Sequence, residues 1–550
     1  MLHGNLSGLR PAQLKALERI YNRKLPTDEV ITGELARYLT EQSLEIGRQL
    51  GILVDRRGEI KYVIVGDDRE IVIPDISHFP KGRSGLRGLR CIHTHLKQEP
   101  LSQDDLTDLA LLRLDMMMAL GVGGDGLPGR VHYAHLLPQG SKEPVEVLSA
   151  PSVYELELPF EAFLTSLESE LERKAAETID LSDTRERGIL ISVSGAPRRE
   201  MEDSLDELAE LARTADVVVL ERVMQRTRRI NPKYLMGEGK IREVVIEALQ
   251  QHATLLIFDQ ELSPAQVRAL SVITEMKVVD RTQLILDIFA RRAQSRDGKV
   301  QVELAQLKYI LPRLAGKGTA FSRLMGGIGG RGPGETKLEV DRRRIRDRIA
   351  RLEKQLKELA RGRVQRRQKR IRKGVPIISI VGYTNAGKST LLNALTQSAV
   401  FTEDLLFATL DTSSRRLRFP HEREVIITDT VGFIRQLPKS LFGAFRATLE
   451  ELEDANLLLH VVDVTNPRFA EQIEAVERIL DQLDLGHLPR LLVFNKIDQA
   501  DPVEVTALCR RYRAIAVSAL QRPTFTALLE ELECRVWPRE AEVDSDPDLG

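Results

Sequence analysis

The sequence lacks the features by which a chain is secreted, cross-linked or held in a membrane. Its only cysteines are Cys91, Cys509 and Cys534, an odd number at wide spacing, which argues against a disulfide framework or a cysteine metal cluster. No secretory signal pattern opens the chain, and no run of roughly eighteen apolar residues occurs that could span a bilayer. We therefore expect a cytoplasmic protein without stable membrane insertion, for which transient contact with a membrane stays an open alternative.

Net charge is also nearly absent, because 80 basic and 81 acidic residues leave a formal charge of −1. The two signs are segregated along the chain, so the total says little about partners. With 550 residues the chain is too long for one ordinary core. We predict a multidomain α/β monomer with five segments. The first two are an N-terminal α/β domain over residues 1–178 and a small parallel α/β domain over 187–297. An antiparallel helical hairpin with a glycine-rich loop follows over 298–373, then a nucleotide-binding domain with a doubly wound, mostly parallel sheet over 374–538, and an acidic tail over 539–550.

In the first segment, helical patterns are mixed with short β-branched runs. The predicted elements are the helices Pro11–Asn22 and Ile31–Leu50 and the strands Ile60–Val65, Glu70–Ile73 and Leu89–Ile92. This mixture indicates a separate α/β domain.

One constellation in this segment has the residue types of a metal site. His93 and His95 are two apart on a predicted strand and so face the same side, and Asp105 at a helix start could supply a third ligand. The order His-x-His, spacer, Ser-x-x-Asp resembles the JAMM metalloproteases. However, the spacer is one residue short of that family's usual length, Leu96 stands in place of proline, and no acidic general base can be placed. We therefore favour a JAMM-like scaffold with hydrogen-bonded surface histidines and Ser102 as a helix cap, and we keep a metal site as the alternative.

Strand-like and helical patterns alternate in the second segment, as in a small parallel sheet covered by helices. The predicted elements are, in order, Ile189–Val193, Met201–Arg213, Val217–Leu220, Lys240–Gln250, Leu255–Phe258, a helix from Pro264, and Lys277–Val279. The glycine-rich run Tyr234–Lys240 lacks the spacing of a dinucleotide fingerprint. We interpret it as a loop and a helix start, with nucleotide binding as a minor alternative.

Two helical patterns, Val300–Leu314 and Glu335–Arg372, predict the hairpin, and the loop between them contains the glycine-rich run Gly326–Gly334. Glycines have no side chains to pack, so we expect this loop to be flexible or to contact a partner closely. The end of the second helix is basic without any acid, through Arg361, Arg363, Arg366, Arg367, Lys369, Arg370, Arg372 and Lys373. Unbalanced positive charge favours a polyanion, and we expect RNA.

The fourth segment contains the stretch on which the functional prediction depends, Gly382–Thr390. An apolar run precedes it and a helical pattern follows, as in a phosphate-binding loop. In such a loop, backbone N–H groups converge on the β- and γ-phosphates, Lys388 adds a positive charge and the Ser389 hydroxyl can hold Mg²⁺.

Three more motifs follow at or near the ends of predicted strands. The strands are Arg415–Phe419, Val425–Thr428, Leu457–Val462, Leu491–Phe494 and Ala514–Val517. Asp429 can hold Mg²⁺ through water, and the Gly432 N–H can reach the γ-phosphate. Asp498 can accept from two adjacent N–H groups of guanine, a pair that adenine does not offer, and the Ala519 N–H can reach the guanine keto oxygen. Because a doubly wound sheet binds ligands at the carboxyl ends of its strands, we predict a GTP site.

These motifs resemble the HflX family of translational GTPases over the range from about Ser192 to Trp537. The residues of the resemblance also include Leu406–Asp411, Phe433-Ile434 and the run Gly326–Glu335 with Thr336–Glu339. The resemblance implies GTP-dependent binding to the large ribosomal subunit and its RNA, and the splitting of stalled ribosomes, with the hairpin loop directed toward the peptidyl-transferase centre. It also implies that Phe407–Asp411 is the first switch, although Thr412 stands where the family commonly has proline.

From the motifs and the resemblance together, we predict Lys388, Thr409 and Gly432 as catalytic residues and Ser389, Thr409 and Asp429 as Mg²⁺ ligands. The residues predicted to bind GTP or GDP are Gly382, Tyr383, Thr384, Asn385, Ala386, Gly387, Lys388, Ser389, Thr390, Phe407, Ala408, Thr409, Leu410, Asp411, Asp429, Thr430, Val431, Gly432, Asn495, Lys496, Ile497, Asp498, Ser518, Ala519 and Leu520.

Phe433 stands where many GTPases place a water-orienting glutamine, so we expect slow turnover until the ribosome assists. Two other functions stay open. A GTP-regulated metallohydrolase would use His93 and His95, and bound zinc together with peptide-bond cleavage would distinguish it. A nucleotide-independent RNA-binding scaffold would bind RNA equally well with GTP and with GDP.

Overall fold

The protein was analysed as a computed structural model that describes residues 2–76, 78–138, 141, 144–178, 185–314, 337–371, 375–396, 413–419, 423–430, 432–434 and 452–537. Within these ranges, the side chains of residues 175–178, 337–339, 360, 362–371 and 413 lie outside the description. The chain divides into two compact units. The first comprises residues 1–187, 234–254 and 272–276, and the second comprises 188–233, 255–271 and 277–550. No helix among the described residues is long and apolar enough to cross a membrane.

The first unit is built on a sheet of seven strands. They are β1 (His3–Gly4), β2 (Leu50–Asp55), β3 (Ile60–Val65), β4 (Leu89–His95), β5 (Met116–Val122), β6 (Pro128–Leu136) and β7 (Val145–Ala150), and their spatial order is β1-β3-β2-β4-β5-β6-β7. The helices are α1 (Pro11–Glu18), α2 (Gly33–Ile46), α3 (Gln103–Leu112) and α4 (Phe160–Thr178). Strand β4 is central, and it runs parallel to β5 and antiparallel to β2.

Strand β4 is buried along its whole length because helices cover both of its faces. On one face, the Thr94 hydroxyl is 2.7 Å from the Ser43 hydroxyl of α2. On the other face, His93 lies 3.3 Å from the Asp105 carboxylate of α3. The alternation of side chains along a strand therefore directs the two histidines toward the start of α3.

Two predicted elements of this unit are corrected by the structure. The helix predicted over Ile31–Leu50 ends at Ile46, because Gly47 adopts a left-handed conformation with φ of 66° and ends the helix. The strand predicted at Glu70–Ile73 is not formed. Instead, the Asp67 carboxylate accepts hydrogen bonds from the Arg69 and Glu70 amides at 2.7 and 2.9 Å, which closes a turn there.

The second unit contains the small sheet predicted from the alternating patterns. Its strands are β8 (Glu186–Ser194), β9 (Val217–Arg226), β10 (Leu255–Phe258) and β11 (Lys277–Asp280), in the order β11-β10-β8-β9. The helices of this stretch of chain are α5 (Arg198–Thr214), α6 (Glu238–Gln250), α7 (Pro264–Ile273) and α8 (Arg281–Arg292). Strand β10 is parallel to both β8 and β11, which confirms parallel pairing. Helix α6 belongs to the first unit although its neighbours in sequence belong to the second.

Two helices then connect the small sheet to the last sheet, α9 (Arg296–Ile310) and α10 (Lys337–Ile371). They are joined by ion pairs of Arg348 with Glu303 at 2.7 Å and of Lys308 with Glu353 at 2.7 Å. These contacts confirm that the two predicted helices exist and pack together. The predicted antiparallel arrangement is wrong where the helices touch, because the paired positions rise together along both helices, from 303 and 348 to 308 and 353. The glycine-rich loop at 326–334 lies outside the described residues.

The last sheet has six strands, β12 (Ile377–Gly382), β13 (Ser413–Arg418), β14 (Glu424–Asp429), β15 (Leu457–Asp463), β16 (Arg490–Asn495) and β17 (Ile515–Ala516). Their order is β13-β14-β12-β15-β16-β17, and only the β13–β14 pair is antiparallel. The helices are α11 (Lys388–Thr396), α12 (Phe469–Gln482), α13 (Pro502–Tyr512) and α14 (Thr526–Val536). The predicted doubly wound, mostly parallel sheet is confirmed, and the carboxyl ends of its five parallel strands lie at one edge.

One apolar cluster of the second unit draws on both of its sheets. It contains Leu190 of β8, Leu208 of α5 and Phe289 of α8 together with Val381 of β12 and Phe433. The small sheet and the last sheet therefore share a core, and a displacement of Phe433 would disturb side chains of α5 and α8.

A buried ionic group lies beside this cluster. The Arg281 guanidinium is 3.1 Å from the Asp259 carboxylate and 3.4 Å from that of Glu207, and its side chain is only 3% exposed. Moving charged groups out of water costs free energy, so each of these three side chains needs the opposite charge of its partners to be stable when buried.

Replacing Arg281 with Met should lower the free energy of unfolding of the second unit by about 3–5 kcal/mol, because two buried carboxylates would lose their cation. The single tryptophan, Trp537, lies in this unit, so its fluorescence in a urea titration would measure the change. Arg222→Met is a matched control, since the Arg222–Asp206 pair is exposed and should contribute about 0–1 kcal/mol. Equal losses in the two variants would contradict the assignment.

Candidate functional site

The predicted phosphate-binding loop lies between β12 and α11, at the carboxyl edge of the last sheet. Gly387 in this loop has a φ of 86°, and a Cβ atom at this position would lie 2.3 Å from the Asn495 amide nitrogen. Only glycine fits both the backbone conformation and this close approach. The loop is therefore in direct contact with the first residue of the Asn495–Asp498 motif.

The Lys388 ammonium group folds back over the loop and donates to the Tyr383 carbonyl at 2.8 Å. Burial lowers the pKa of Lys388 to about 8, although the nearby Asp429 carboxylate acts in the opposite direction. Lys388 is the first residue of α11. An anion bound at this helix N-terminus would stabilise the charged form of the desolvated ammonium group. The geometry suits the predicted role of Lys388 toward phosphate.

Ser389 and Asp429 come together from different elements, the start of α11 and the end of β14. The Ser389 hydroxyl donates to the Asp429 carboxylate at 2.5 Å, and Asp429 is fully buried. A hydroxyl and a carboxylate are hard oxygen donors of the kind that Mg²⁺ prefers, so the two residues fit this ion. The third predicted ligand, Thr409, and the rest of the first switch at 407–411 lie outside the described residues.

Gly432 lies directly over the loop. A Cβ atom at Gly432 would be 2.6 Å from the Thr384 side chain and 2.9 Å from the Lys388 ammonium nitrogen, so a larger residue would displace one of them. The next residue, Phe433, donates its N–H to the Gly382 carbonyl at 3.1 Å and accepts from the Thr384 N–H at 2.8 Å. Its side chain is buried in the shared core and is not directed at the loop. Val431 lies outside the described residues.

Asn495 connects the phosphate loop with the other end of the site. Its amide nitrogen donates to the Ala386 carbonyl at 2.9 Å, and its amide oxygen accepts from the Ala519 N–H at 2.9 Å. The side chain thus fixes the relative positions of three segments, namely the loop after β12, the end of β16 and the loop after β17. The sequence pattern alone does not indicate this bridging role of Asn495.

Asp498 lies beside Asn495 at the same edge of the sheet. Its carboxylate accepts a hydrogen bond from the buried Ser518 hydroxyl at 2.6 Å. The Ser518 hydroxyl also accepts from the Leu520 N–H at 3.3 Å, so Ser518 orients both the carboxylate and the loop after β17. This positioning role of Ser518 is not evident from the sequence.

The structure also reveals a contact that sequence reasoning missed. The Tyr383 hydroxyl donates to the Glu207 carboxylate of α5 at 3.0 Å, although the two residues are far apart in the chain. A cavity of about 310 Å³ lies next to this contact, and its lining includes Asp203, Thr384 and Arg468. The side of the loop that carries Tyr383 is therefore attached to the small sheet's first helix.

In the first unit, the predicted surface histidines are buried, which corrects that expectation. His93 is fully buried and His95 is only 4% exposed, because α3 covers their face of β4. The predicted helix cap is confirmed, since the Ser102 hydroxyl accepts from the Asp105 N–H at 3.2 Å. His93, His95 and Asp105 each direct one ligand atom to a common point, with these atoms within 4.8 Å of one another.

Three family models match the chain after the first 201 residues. Residues 202–290 match the model described as "GTP-binding GTPase N-terminal", residues 292–370 match "GTP-binding GTPase Middle Region", and residues 377–496 match "50S ribosome-binding GTPase". Together with the parallel sheet and its phosphate loop, these matches define a P-loop GTPase. The likeness of residues 1–178 to JAMM enzymes stays a prediction.

Individual relatives identify the family within the P-loop GTPases. The chain is 50% identical over 366 residues to GTPase HflX of Caldanaerobacter subterraneus, a match that covers 66% of this chain and 84% of the relative. It is 46% identical over 325 residues to GTPase HflX of Escherichia coli K12, which covers 59% of this chain and 76% of that relative. The chain belongs to the HflX family of GTPases.

Among solved structures, a GTP-binding protein from Sulfolobus solfataricus in complex with GDP is 25% identical, over 63% of this chain and 99% of that chain. The TM-score is 0.36, which is too low for this similarity to support a further conclusion.

Replacing Asp498 with Asn should weaken GTP binding by about 10- to 150-fold, since a hydrogen bond to a charged group contributes roughly 1.5–3 kcal/mol. Xanthosine triphosphate should gain affinity, because its keto group can accept from the new amide. Competition between the two nucleotides in a fluorescence titration would measure both changes.

The matched control is Asp501→Asn, which changes an exposed carboxylate that caps α13 through the Val503 amide. Asparagine caps helices equally well, so this variant should keep the GTP preference. An unchanged preference in Asp498→Asn would remove Asp498 from the base pocket.

Proposed function

We propose that this chain is a GTP-hydrolysing factor that binds the large ribosomal subunit and splits or rescues stalled ribosomes. The observation that best supports the proposal is the convergence of the phosphate loop, Asp429, Gly432 and the Asn495–Asp498 motif at one edge of the last sheet. Membership of the HflX family, with a match to a model described as a 50S ribosome-binding GTPase, supports the choice of partner.

GTP would occupy this edge with its base toward Asp498 and its phosphates on the loop at Gly387–Ser389. The two adjacent N–H groups of guanine suit the Asp498 carboxylate, which Ser518 already orients. Ser389 and Asp429 would hold Mg²⁺, with Thr409 as a third ligand in the nucleotide-bound state. The ion would neutralise charge that develops on the phosphate oxygens during transfer.

Gly432 is the residue through which the γ-phosphate would affect the rest of the unit. It contacts Thr384 and Lys388 without a side chain between them, so a γ-phosphate bound to the loop would reach its N–H. Phe433 follows and is buried in the core that includes α5 and α8. Binding and loss of the γ-phosphate would therefore be transmitted to the small sheet by a packed side chain.

Slow intrinsic turnover of GTP follows from the position of Phe433. The Phe433 ring is apolar and lies in the core, so it cannot orient a water molecule at the γ-phosphate. Hydrolysis would then depend on the loop and Mg²⁺ until the ribosome supplies or repositions a group. GTP would order the protein for binding, and hydrolysis would permit release.

The proposed contact with ribosomal RNA involves α10 and the loop that precedes it. Eight basic residues lie between 361 and 373 without an acid, and the last sheet begins a few residues later. A basic helix joined so directly to the nucleotide domain would respond to its state. RNA backbones attract such a helix through phosphate contacts and counterion release.

The main test is GTP turnover with and without purified ribosomal subunits. We expect slow hydrolysis alone, clear stimulation by large subunits, and little effect of small subunits as the matched control. Lys388→Ala should reduce the stimulated rate about 100-fold or more, because it removes a charge from the phosphates. Rapid hydrolysis without ribosomes that is unaffected by Lys388→Ala would contradict the mechanism.

Replacing Arg366, Arg367 and Arg370 with Gln should lower affinity for large-subunit RNA. The slope of log affinity against log salt should flatten by roughly 2–3 if each arginine contacts one phosphate. Filter binding over a range of salt concentrations would measure the slope, and sedimentation would follow subunit splitting.

The control for this test is a triple change of Arg510, Arg511 and Arg513 to Gln at the end of α13, which has the same effect on net charge. An identical loss of RNA affinity in both triple variants would show that only the total charge matters. In that case α10 would not be the RNA contact.

A further inference from the structure

We propose that His93, His95 and Asp105 bind a single divalent metal ion of the zinc class in the first unit. The observation behind the proposal is that three ligand atoms of different residues, two of them fully or nearly fully buried, meet at one point between β4 and α3. The site does not depend on the proposed ribosomal function.

The distances between the ligand atoms suit a tetrahedral ion. Zinc binds nitrogen and oxygen ligands at about 2.0–2.2 Å, so two ligands of one tetrahedron are about 3.3–3.5 Å apart. Here the His93 Nε2 atom is 3.3 Å from Asp105 Oδ1, the His95 Nε2 atom is 3.5 Å from Asp105 Oδ2, and the two Nε2 atoms are 2.9 Å apart. A small rotation of the imidazoles would bring the shortest of these distances to the expected value.

The hydrogen bonds of the cluster give a second reason to expect a bound metal ion. His95 Nδ1 lies 2.9 Å from the Glu99 carbonyl, which can only accept, so the hydrogen-bond network assigns the proton of the neutral ring to Nδ1. His95 Nε2 then presents a lone pair to the Asp105 carboxylate, which is also an acceptor. The Ser102 donors reach only Asp105 Oδ2, and a single N–H on His93 Nε2 can serve only one of its two neighbours, His95 Nε2 at 2.9 Å and Asp105 Oδ1 at 3.3 Å. A bound cation would satisfy the lone pairs of both imidazoles and of Asp105 Oδ1 together, and it would release the proton of His93 Nε2.

Outer contacts already hold two of the three ligands in place. Asp105 accepts from both the amide and the hydroxyl of Ser102 at 2.7 Å, and His95 is held by the Glu99 carbonyl. Such contacts orient the ligands of metal sites and raise their affinity. His93 Nδ1 has no partner among the described residues, so we expect affinity roughly 10- to 100-fold below that of a site with complete outer contacts.

The neighbouring strand supplies no fourth protein ligand. Ala119 pairs with His93 and Gly121 pairs with His95 along β5, and paired residues face the same side of a sheet. Neither residue has a side chain that could coordinate an ion, and the Gln98 side chain and the Arg130 carbonyl lie against Gly121. The Asp105 side chain is 14% exposed, so solvent reaches the edge of the cluster. Three protein ligands with an open fourth position are the arrangement in which zinc binds a water molecule.

The donor set selects the class of ion. Two imidazoles and one carboxylate suit Zn²⁺ and the neighbouring ions Co²⁺ and Ni²⁺, whereas Mg²⁺ and Ca²⁺ prefer oxygen ligands alone. The site should therefore bind zinc in the presence of a large excess of Mg²⁺, which distinguishes it from the Ser389–Asp429 pair.

The experiment uses the full-length chain without a histidine tag, stripped with a chelator and saturated with Mg²⁺ and GDP to occupy the nucleotide site. Zn²⁺ is then titrated by calorimetry, and Co²⁺ is added separately to record its visible absorption. We expect one ion per chain, and intense cobalt bands of the kind that a tetrahedral site produces. Absence of stoichiometric zinc binding would overturn the proposal.

Asp105→Asn is the informative variant, because asparagine keeps the size of the side chain and its amide oxygen can still accept from the Ser102 N–H at the start of α3. Its zinc affinity should fall at least tenfold, and the cobalt bands should be lost. Asp104→Asn is the matched control, since Asp104 is exposed, lies in the same helical turn and is not in the cluster. This control should bind zinc like the unchanged protein.

His95→Gln provides a second variant, and circular dichroism of each protein confirms that it is folded. GTP turnover should be equal in all of them, since the cluster lies outside the nucleotide site. Equal zinc affinity in folded Asp105→Asn and the unchanged protein would overturn the assignment of the ligands, and so would an equal loss in Asp104→Asn.

Discussion

The hydrogen bonds of the Asn495 side chain are the interactions on which the nucleotide site depends. One amide group connects the phosphate loop, through Ala386, with the loop after the last strand, through Ala519. The connection requires Gly387, because any Cβ atom at that position would overlap the Asn495 amide. The residues predicted to contact the phosphates and the base are thereby held at a constant separation, which would preorganise the site for a nucleotide.

The same site is attached to the rest of the second unit through Tyr383 and Phe433. Tyr383 reaches Glu207 of α5, and Glu207 also lies beside the buried Arg281. Phe433 enters a core that both sheets share. A change at the γ-phosphate position would therefore disturb a hydrogen bond and a packed ring together, and closely packed cores respond to such changes in discrete steps. This arrangement physically couples the phosphate loop to α5 and α8.

The first unit differs in having polar side chains buried at its centre. Its central strand is buried on both faces, yet two of its side chains are imidazoles that meet the Asp105 carboxylate of α3. Polar groups are costly to bury unless they are satisfied, so a cluster of this kind needs either shared protons or a cation. The paired residues Ala119 and Gly121 on β5 offer no polar side chain to the cluster, so its polar atoms depend on one another, on Ser102 and on Glu99.

The sequence alone determined the order of the strands and helices around the nucleotide site and the positions of its motifs. Hydrophobic periodicity and the Gly382–Thr390 loop are local properties, and they predicted β12, α11 and the mostly parallel sheet correctly. The strand prediction failed at Glu70–Ile73, which has the composition of a strand, because the nearby Asp67 carboxylate accepts from the Arg69 and Glu70 amides and closes a local turn. Only the tertiary structure showed that Asn495 bridges two loops, that Tyr383 contacts α5 and that His93 and His95 are buried beside Asp105. These contacts join residues from separate elements, so only the folded chain could bring them together.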